Sequence, residues 1–327
     1  MQPLRPEDIR GTWGTLILPI NEDDSIDMAR LEIEIDALLR SGVRGIYSNG
    51  STGELHNQSD IEYDHVNELL ARQCEQANMA FQIGASHMDP RLSLKRAECA
   101  AKLNPGAIQV ILPDWIPCSD AEAHDFLSCV IKQVSPIPLI LYLPGHAKRS
   151  FTPDSLGRLL EKLPGVAGIK TLGGDAQWYA SIRHYRPDLS IFVPGHELAT
   201  ASTLGANGSY SNVACLSPSG AVWWERMIDD DPVAALELER RIQKFMTDHI
   251  VPFRDTRGHN NTALDKLLAA IGNWAPVGTR LRWPYHGVDA QHAEQLRDTA
   301  RADLPELFLA ETSQELISPN SSSEHPS

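Results

Sequence analysis

The order of short apolar segments and longer helical patterns predicts an α/β protein, a (β/α)8 TIM barrel with a C-terminal helical extension. Eight strand candidates lie between residues 12 and 212. Their apolar runs are nearly continuous, as in parallel strands that are covered on both faces. An open doubly wound sheet is the alternative, but the GxGxxG sequence that usually follows its first strand is absent. The barrel is therefore the better interpretation.

The strand candidates are short runs of β-branched or apolar residues. In chain order they are TWGTLIL (12–18), VRGIYS (43–48), AFQIGA (80–85), AIQVIL (107–112), PLILYL (138–143), VAGIK (166–170), IFVPG (191–195) and GSYSN (208–212). Six of the seven segments between them can hold a helix directly, which is the spacing that a chain of βα units requires.

The helix candidates have apolar residues at helical spacing. They are residues 27–42, 59–76, 89–103, 119–134, 152–163 and 176–185. Ser59 is a predicted N-cap of the second helix. Residues 221–250 and 261–272 read as appended helices rather than a ninth βα unit. The predicted domains are a barrel over 1–225, a helical extension over 226–310 and a disordered Ser/Pro-rich tail over 311–327.

Charge and cysteine usage exclude several classes of function. The 327 residues include 29 Lys and Arg against 43 Asp and Glu, a formal charge of −14, which argues against nucleic-acid or membrane-surface partners. Five scattered cysteines without a CxxC pair indicate reduced thiols. Neither a signal peptide nor an apolar run of about 18 residues is evident. We therefore expect a cytoplasmic protein.

A lysine ends the sixth strand candidate, in the stretch PGVAGIKTLGG (164–174). Functional groups of a TIM barrel lie at the C-terminal ends of its strands, so Lys170 and Tyr142, at the end of the fifth strand, are expected at one mouth. An amine in apolar surroundings can attack a carbonyl carbon, and a neighbouring phenol can transfer protons. The alternative is that Lys170 forms an ion pair at the rim and Tyr142 belongs to the core.

The second strand candidate ends in a turn of small residues, YSNGSTGEL (47–55). Backbone N–H groups can converge on an anion at such a turn, and the hydroxyls of Ser51 and Thr52 add further donors. The carboxylate of a pyruvate-type acid fits this arrangement. The alternative is an ordinary βα turn.

These motifs together resemble the N-acetylneuraminate lyase / dihydrodipicolinate synthase family of class I lyases. GSTGE (50–54) is similar to the family's G-[ST]-T-G-E turn, Tyr142 in LYLPG to its tyrosine, and Lys170 in GIK to its Schiff-base lysine. GANGSYSNVA (205–214) is similar to the family's eighth-strand region. The resemblance extends from about Gly11 to Pro284.

The resemblance implies a function and a set of site residues. Pyruvate or another 2-keto acid would bind as an imine on Lys170, with Tyr142 as the proton shuttle and Ser51 and Thr52 at the carboxylate. It also implies a homo-oligomer, a dimer or tetramer, and no metal or organic cofactor. His146, His196, Trp115 and Tyr210 are the candidates for shaping specificity.

Two segments depart from the family's pattern. LPDWIPC (112–118) has Asp114 and Trp115 where many members have two tyrosines, so the usual proton relay cannot operate, and Trp115 either lines a pocket or packs at an interface. In LYLPGHAKRSF (141–151), His146 stands at the position of the arginine that holds the second substrate of dihydrodipicolinate synthases. Because His and Arg are not interchangeable there, the sequence argues against a true dihydrodipicolinate synthase.

The main hypothesis is a lyase or dehydratase of 2-keto acids, such as 2-keto-3-deoxy sugar acids. The alternatives are a hydratase-aldolase of aromatic 2-keto acids, which Trp115 favours, a dihydrodipicolinate synthase-like condensation, and a non-catalytic 2-keto-acid-binding barrel. A metal-dependent aldolase is least favoured, because the twelve histidines form no HxH or HxxxH array at strand ends.

Overall fold

The computed structural model describes residues 1–210 and 212–309. Within them, eight parallel strands pair in chain order and β8 pairs with β1, which closes the barrel. The strands are β1 (Gly11–Thr15), β2 (Gly45–Ser48), β3 (Ala80–Gly84), β4 (Ala107–Ile111), β5 (Leu139–Tyr142), β6 (Val166–Lys170), β7 (Ser190–Pro194) and β8 (Gly208–Tyr210). The predicted TIM barrel is confirmed.

Helices follow the strands as the barrel requires. They are α1 (Met28–Arg40), α2 (Asp60–Gln76), α3 (Pro90–Ala101), α4 (Asp120–Val134), α5 (Pro153–Glu161), α6 (Ala176–Tyr185) and α7 (Leu198–Leu204). Ser59 caps α2 as predicted, and its side chain and that of Glu62 form a reciprocal capping box.

The structure differs from the predicted elements in two places. The sequence predicts no helix after β7, but the structure has α7 there. This helix has only seven residues, which are too few to show a clear periodicity of apolar residues. Residues 16–18 lie beyond the end of β1 although they are fully buried. The Leu16 N–H still donates to the Tyr47 carbonyl oxygen of β2 at 2.9 Å, so the apolar run at the end of the first candidate reflects burial that continues past the strand.

The apolar core has two parts. The larger part lies between the outside of the barrel and the surrounding helices. The smaller part fills the barrel interior, where the Tyr210 ring centroid lies 4.7 Å from that of Tyr47 and 4.4 Å from that of Phe192. These rings fill the barrel interior below the strand ends.

The C-terminal extension is helical, as predicted. It contains α8 (Val213–Leu216), α9 (Pro218–Asp230), α10 (Pro232–Phe245), α11 (Val251–Asp255), α12 (Asn261–Gly272) and α13 (Ala290–Asp303), with a π-helical segment, Met246–Ile250, between α10 and α11. The predicted boundary at residue 225 falls inside α9, where the Glu225 carboxylate accepts a hydrogen bond from the Thr12 N–H of β1 at 2.6 Å. The domain division itself stays a prediction.

Some sequence predictions concern features outside the barrel. The tail at 311–327 lies outside the described residues. No helix in the part of the chain that the structure describes is long and apolar enough to cross a membrane. The five cysteines are all free thiols, and two of them, Cys74 and Cys215, are buried.

Candidate functional site

A cavity of about 540 Å³ opens at the C-terminal ends of the strands. Its walls come from the ends of β5 to β8, the turn after β2, and the segment from Met246 to Leu268 in the C-terminal extension. The cavity thus lies where a TIM barrel carries its functional groups, and the extension supplies one side of it.

Lys170 lines this cavity, at the C-terminal mouth where the sequence predicts it. It is the last residue of β6 and pairs in register with Tyr142, the last residue of β5. The Lys170 Nζ lies 4.4 Å from the centroid of the Tyr142 ring and donates a hydrogen bond to the Tyr47 hydroxyl at 3.1 Å. The Tyr210 ring centroid is 5.1 Å from the same nitrogen. The amine is therefore surrounded by three phenol rings.

Tyr47 is a site residue that the sequence analysis missed. It belongs to β2, is fully buried, and points into the barrel interior below Lys170. A tyrosine one residue before the end of a barrel strand was the available signal, because alternate residues of a strand face the interior.

The turn after β2 brings Ser51 and Thr52 to the cavity. The Ser51 Oγ and the Tyr142 hydroxyl oxygen are 3.4 Å apart, so the turn contacts the end of β5 directly. Gly50 allows this close packing, because a Cβ at that position would lie 2.8 Å from the Tyr47 ring. The hydroxyl of Thr52 donates a hydrogen bond to the carboxylate of Asp265, on α12.

One face of α12 holds the whole turn. The Thr262 hydroxyl donates to the Ser51 carbonyl oxygen at 3.0 Å, and the Lys266 Nζ donates to the Glu54 carboxylate at 2.7 Å. Thr262, Asp265 and Lys266 share this face because positions three and four apart in a helix are neighbours. The sequence analysis missed this role, although the Asp-Lys pair inside the apolar segment NTALDKLLAAIG was a visible signal.

Burial changes the proton affinity of both ionisable side chains on this face. Burial raises the pKa of Asp265, against the opposing effects of the Thr52 hydroxyl and the positive charge of Lys170. Burial lowers the pKa of Lys266, against the attraction of Glu54. Lys266 and Glu54 are both completely buried, so their ion pair joins the extension to the turn inside the protein.

His196 lies at the cavity wall, after the end of β7. Its backbone N–H donates to the Asn212 side-chain oxygen at 3.1 Å, and its Nδ1 lies 2.9 Å from the Asn212 Nδ2. The amide donates in this pair, so a neutral His196 carries its proton on Nε2. That nitrogen is then available as a donor to a ligand.

The other predicted specificity residues divide into two groups. His146 and Tyr210 line the cavity, and the Tyr210 hydroxyl donates to Gln82 at 3.1 Å in the barrel interior. Trp115 is not brought to the cavity of this chain. The residue is 74% exposed, although Lys148 bonds to its carbonyl oxygen at 2.9 Å and places its Nζ 4.7 Å from the ring centroid. The structure of one chain therefore gives no support for a contact between Trp115 and a ligand in this cavity.

The outer part of the cavity combines one arginine with an apolar wall. Arg254, on α11, lines the cavity and was missed by the sequence analysis. The apolar residues are Leu143, Leu172, Met246, Ile250, Val251, Leu264 and Leu268. The π-helical segment brings Met246 and Ile250 to this wall, which agrees with the frequent location of such segments at functional sites.

Comparison with known proteins identifies the family of this fold and site. Residues 8–303 match the dihydrodipicolinate synthetase family. The chain belongs to this family. The match covers most of the chain and includes the turn after β2, Tyr142, Lys170 and α12.

Individual relatives agree with this assignment. The chain is 28% identical to the N-acetylneuraminate lyase of Escherichia coli (strain SE11) over 204 residues, which are 62% of this chain and 68% of that protein. Two solved structures share its fold with a TM-score of 0.77 each. YagE of E. coli K12, a prophage protein of the dihydrodipicolinic acid synthase family solved with pyruvate, is 20% identical and matches 90% of this chain and 98% of its own. A Ruminococcus gnavus sialic acid aldolase is 18% identical and matches 94% and 99%.

Membership of this family makes the protein a lyase. Within residues 1–210 and 212–309, no three His, Cys, Asp or Glu side chains are grouped as metal ligands. The three predicted motifs, at residues 50–54, 142 and 170, meet at the one cavity described above.

Proposed function

We propose that this member of the dihydrodipicolinate synthetase family is a class I lyase that acts on pyruvate-type 2-keto acids through an imine on Lys170. The observation that carries the proposal is the position of Lys170 Nζ, inside the cavity and beside Tyr142, with Ser51 3.4 Å from the Tyr142 hydroxyl. An amine, a phenol and a carboxylate-binding turn are the groups that imine chemistry on a 2-keto acid requires.

The proposed reaction assigns each group a step. The neutral Lys170 amine attacks the carbonyl carbon of the keto acid, and the carbonyl oxygen leaves as water when the imine forms. When the carbon–carbon bond next to a hydroxyl-bearing carbon breaks, that hydroxyl loses its proton, an aldehyde leaves, and the imine accepts the released electron pair as an enamine. Tyr142 transfers the protons to and from the oxygen atoms, and Ser51 keeps its hydroxyl oriented. The enamine carbon then takes up a proton, which restores an imine, and water hydrolyses this imine to release the 2-keto acid and the free amine, without a metal or organic cofactor.

The substrate class is proposed from the wall of the cavity. His196, Asn212 and Asn261 offer hydrogen bonds to a polyhydroxylated chain, which supports 2-keto-3-deoxy sugar acids. The apolar wall from Leu143 to Leu268 supports a second candidate, a hydratase-aldolase of aromatic 2-keto acids. Activity against sugar acids and arylidene-pyruvates, measured side by side in the presence of a chelator, separates these two candidates.

Borohydride trapping tests the imine. The protein is incubated with pyruvate and borohydride, and the intact mass and the modified peptide are then measured. We expect a reduced adduct on Lys170 that disappears in Lys170→Ala. Lys148→Ala is the matched control, since Lys148 bonds to the Trp115 segment outside the cavity and its loss leaves the adduct intact. An unmodified wild-type protein that still binds pyruvate would instead support a non-catalytic binding barrel.

A further inference from the structure

Asp265 is an acidic side chain beside the residues proposed to hold the substrate's carboxylate. It lines the same cavity as Ser51, Thr52 and Lys170. It is brought there by α12, whose neighbouring residues Thr262 and Lys266 fix the helix to the turn after β2. The position of its carboxyl group is therefore set by the fold and not by a flexible surface contact.

The hydrogen bond from Thr52 to Asp265 conflicts with the binding of a second carboxylate. A hydroxyl has one proton, and while Thr52 donates it to Asp265 it cannot donate it to a ligand. An ionised Asp265 would also repel a ligand carboxylate held by the same turn. Two carboxylates can share such a place only when one of them carries a proton.

We propose that Asp265 binds the carboxylate of the 2-keto acid in its protonated form, so that one proton enters the site with the ligand. The inference rests on the proposed function, because it needs a 2-keto acid at the turn after β2. The proton comes from solvent and adds to the Asp265 carboxylate, whose O–H then donates to the ligand. Thr52 is released from Asp265 and donates to the ligand as well.

The charges that face Asp265 are compatible with this proton uptake. Lys170 of β6 favours the ionised form through its positive charge, a protonated His196 after β7 would do the same, and the Asn212 backbone N–H does so as a donor. The Cys215 thiol of α8 is buried close by, and burial raises the pKa of that thiol, which keeps it neutral. Burial of Asp265 has the largest effect and raises its pKa, which favours the protonated form.

The direction of the pH dependence follows from this uptake. A ligand that binds the protonated form raises the pKa of Asp265 further. The affinity of the protein for this ligand is therefore constant below the pKa that Asp265 has in the free enzyme. Above that pKa the affinity decreases by about tenfold per pH unit for one coupled proton. Imine formation has a pH dependence of its own, because only an unprotonated amine can attack the carbonyl carbon. Because Lys170 is present in both the wild type and the Asp265 variant, the comparison separates most of this effect from the proton uptake at Asp265.

The test compares pyruvate binding to the wild-type protein and to Asp265→Asn between pH 5 and 9. Calorimetry in buffers of different ionisation enthalpy gives the affinity and the number of protons taken up, and borohydride trapping gives the adduct. We expect the ratio of the pyruvate affinity of Asp265→Asn to that of the wild type to increase by up to about tenfold for each unit by which the pH rises. On binding pyruvate, the wild type is also expected to take up close to one proton more than Asp265→Asn does.

Two further variants control for side effects. Asp265→Ala provides a second side chain that cannot ionise, in case the amide disturbs folding. Asp298→Asn removes an exposed carboxylate of α13 and is expected to behave as the wild type. A trapped adduct with parallel pH profiles in wild type and Asp265→Asn would overturn this inference alone. The absence of both adduct and pyruvate binding at every pH would overturn the proposed function together with it.

Discussion

At the scale of single residues, Lys170 and Tyr142 lie side by side because they end adjacent strands. Tyr142 is the last residue of β5, Lys170 is the last residue of β6, and the strand register pairs the two residues directly. Parallel strands in a barrel bring residues 28 positions apart in the chain into contact at one mouth. The lysine at the end of an apolar strand is therefore explained by its place in the cavity, where Tyr47, Tyr142 and Tyr210 surround its amine.

Tyr142→Phe tests the proton-transfer role at this scale. Removal of the hydroxyl is expected to lower the turnover of the best 2-keto acid substrate by about 100-fold or more, since a positioned general acid–base contributes about that factor. Steady-state kinetics gives the value. Tyr285→Phe, on a tyrosine that does not line this cavity, is the matched control and is expected to keep its rate. A similar rate in both variants would remove Tyr142 from the mechanism.

At the scale of secondary-structure elements, α12 completes the site although it lies far along the chain from the barrel motifs. Its contacts join residues 51, 52 and 54 to residues 262, 265 and 266. Glu54 adopts a left-handed backbone conformation with a φ of 47°, which directs its carboxylate toward Lys266 and the Arg282 N–H. The turn after β2 is therefore held by the extension and not by the barrel alone.

Lys266→Met tests how much this contact stabilises the fold. Because Glu54 is left buried without its partner, the free energy of unfolding is expected to decrease by about 3–5 kcal/mol in urea denaturation. The double variant Lys266→Met/Glu54→Gln is expected to recover part of the loss, since no charge then remains buried there.

Lys244→Met is the control for this prediction. It removes a lysine from the exposed ion pair with Asp248 on the same extension, where solvent already weakens the attraction. We expect little change in its unfolding curve. Equal unfolding of Lys266→Met and the control would mean that the buried ion pair does not hold the turn.

At the scale of the whole molecule, the segment after β4 carries two large apolar side chains on the surface. Trp115 is 74% exposed and its neighbour Ile116 is 77% exposed. Adjacent exposed apolar side chains are typical of contact surfaces between proteins. The predicted homo-oligomer, a dimer or tetramer, places this segment at a subunit contact, and that prediction remains to be tested.

The double variant Trp115→Ser/Ile116→Ser tests this prediction. Sedimentation equilibrium is expected to give a dimer or tetramer for the wild type and a smaller species for the variant, because the apolar area buried at the contact is lost. Val233→Ser is the matched control, since Val233 on α10 is equally exposed at 77%. A wild-type protein that sediments as a monomer would contradict both the oligomer and the role of Trp115.

The sequence by itself determined the barrel, the helical extension and the predicted residues that meet at the cavity. Nearly continuous apolar strands, helical spacing between them and polar residues at strand ends are local patterns, so they can be read without the fold. Lys170, Tyr142, Ser51 and Thr52 lie together because each is at, or shortly after, the C-terminal end of a strand.

Only the tertiary structure decided what surrounds those residues. Asp265 and Arg254 reach the cavity through the packing of the extension, and Trp115 lies outside it, where Lys148 bonds to its carbonyl oxygen. Contacts between residues more than 200 positions apart, such as Thr52 with Asp265, leave no periodic signal in the chain. They depend on which helix packs over which strand end, and that is settled by the burial of the whole core.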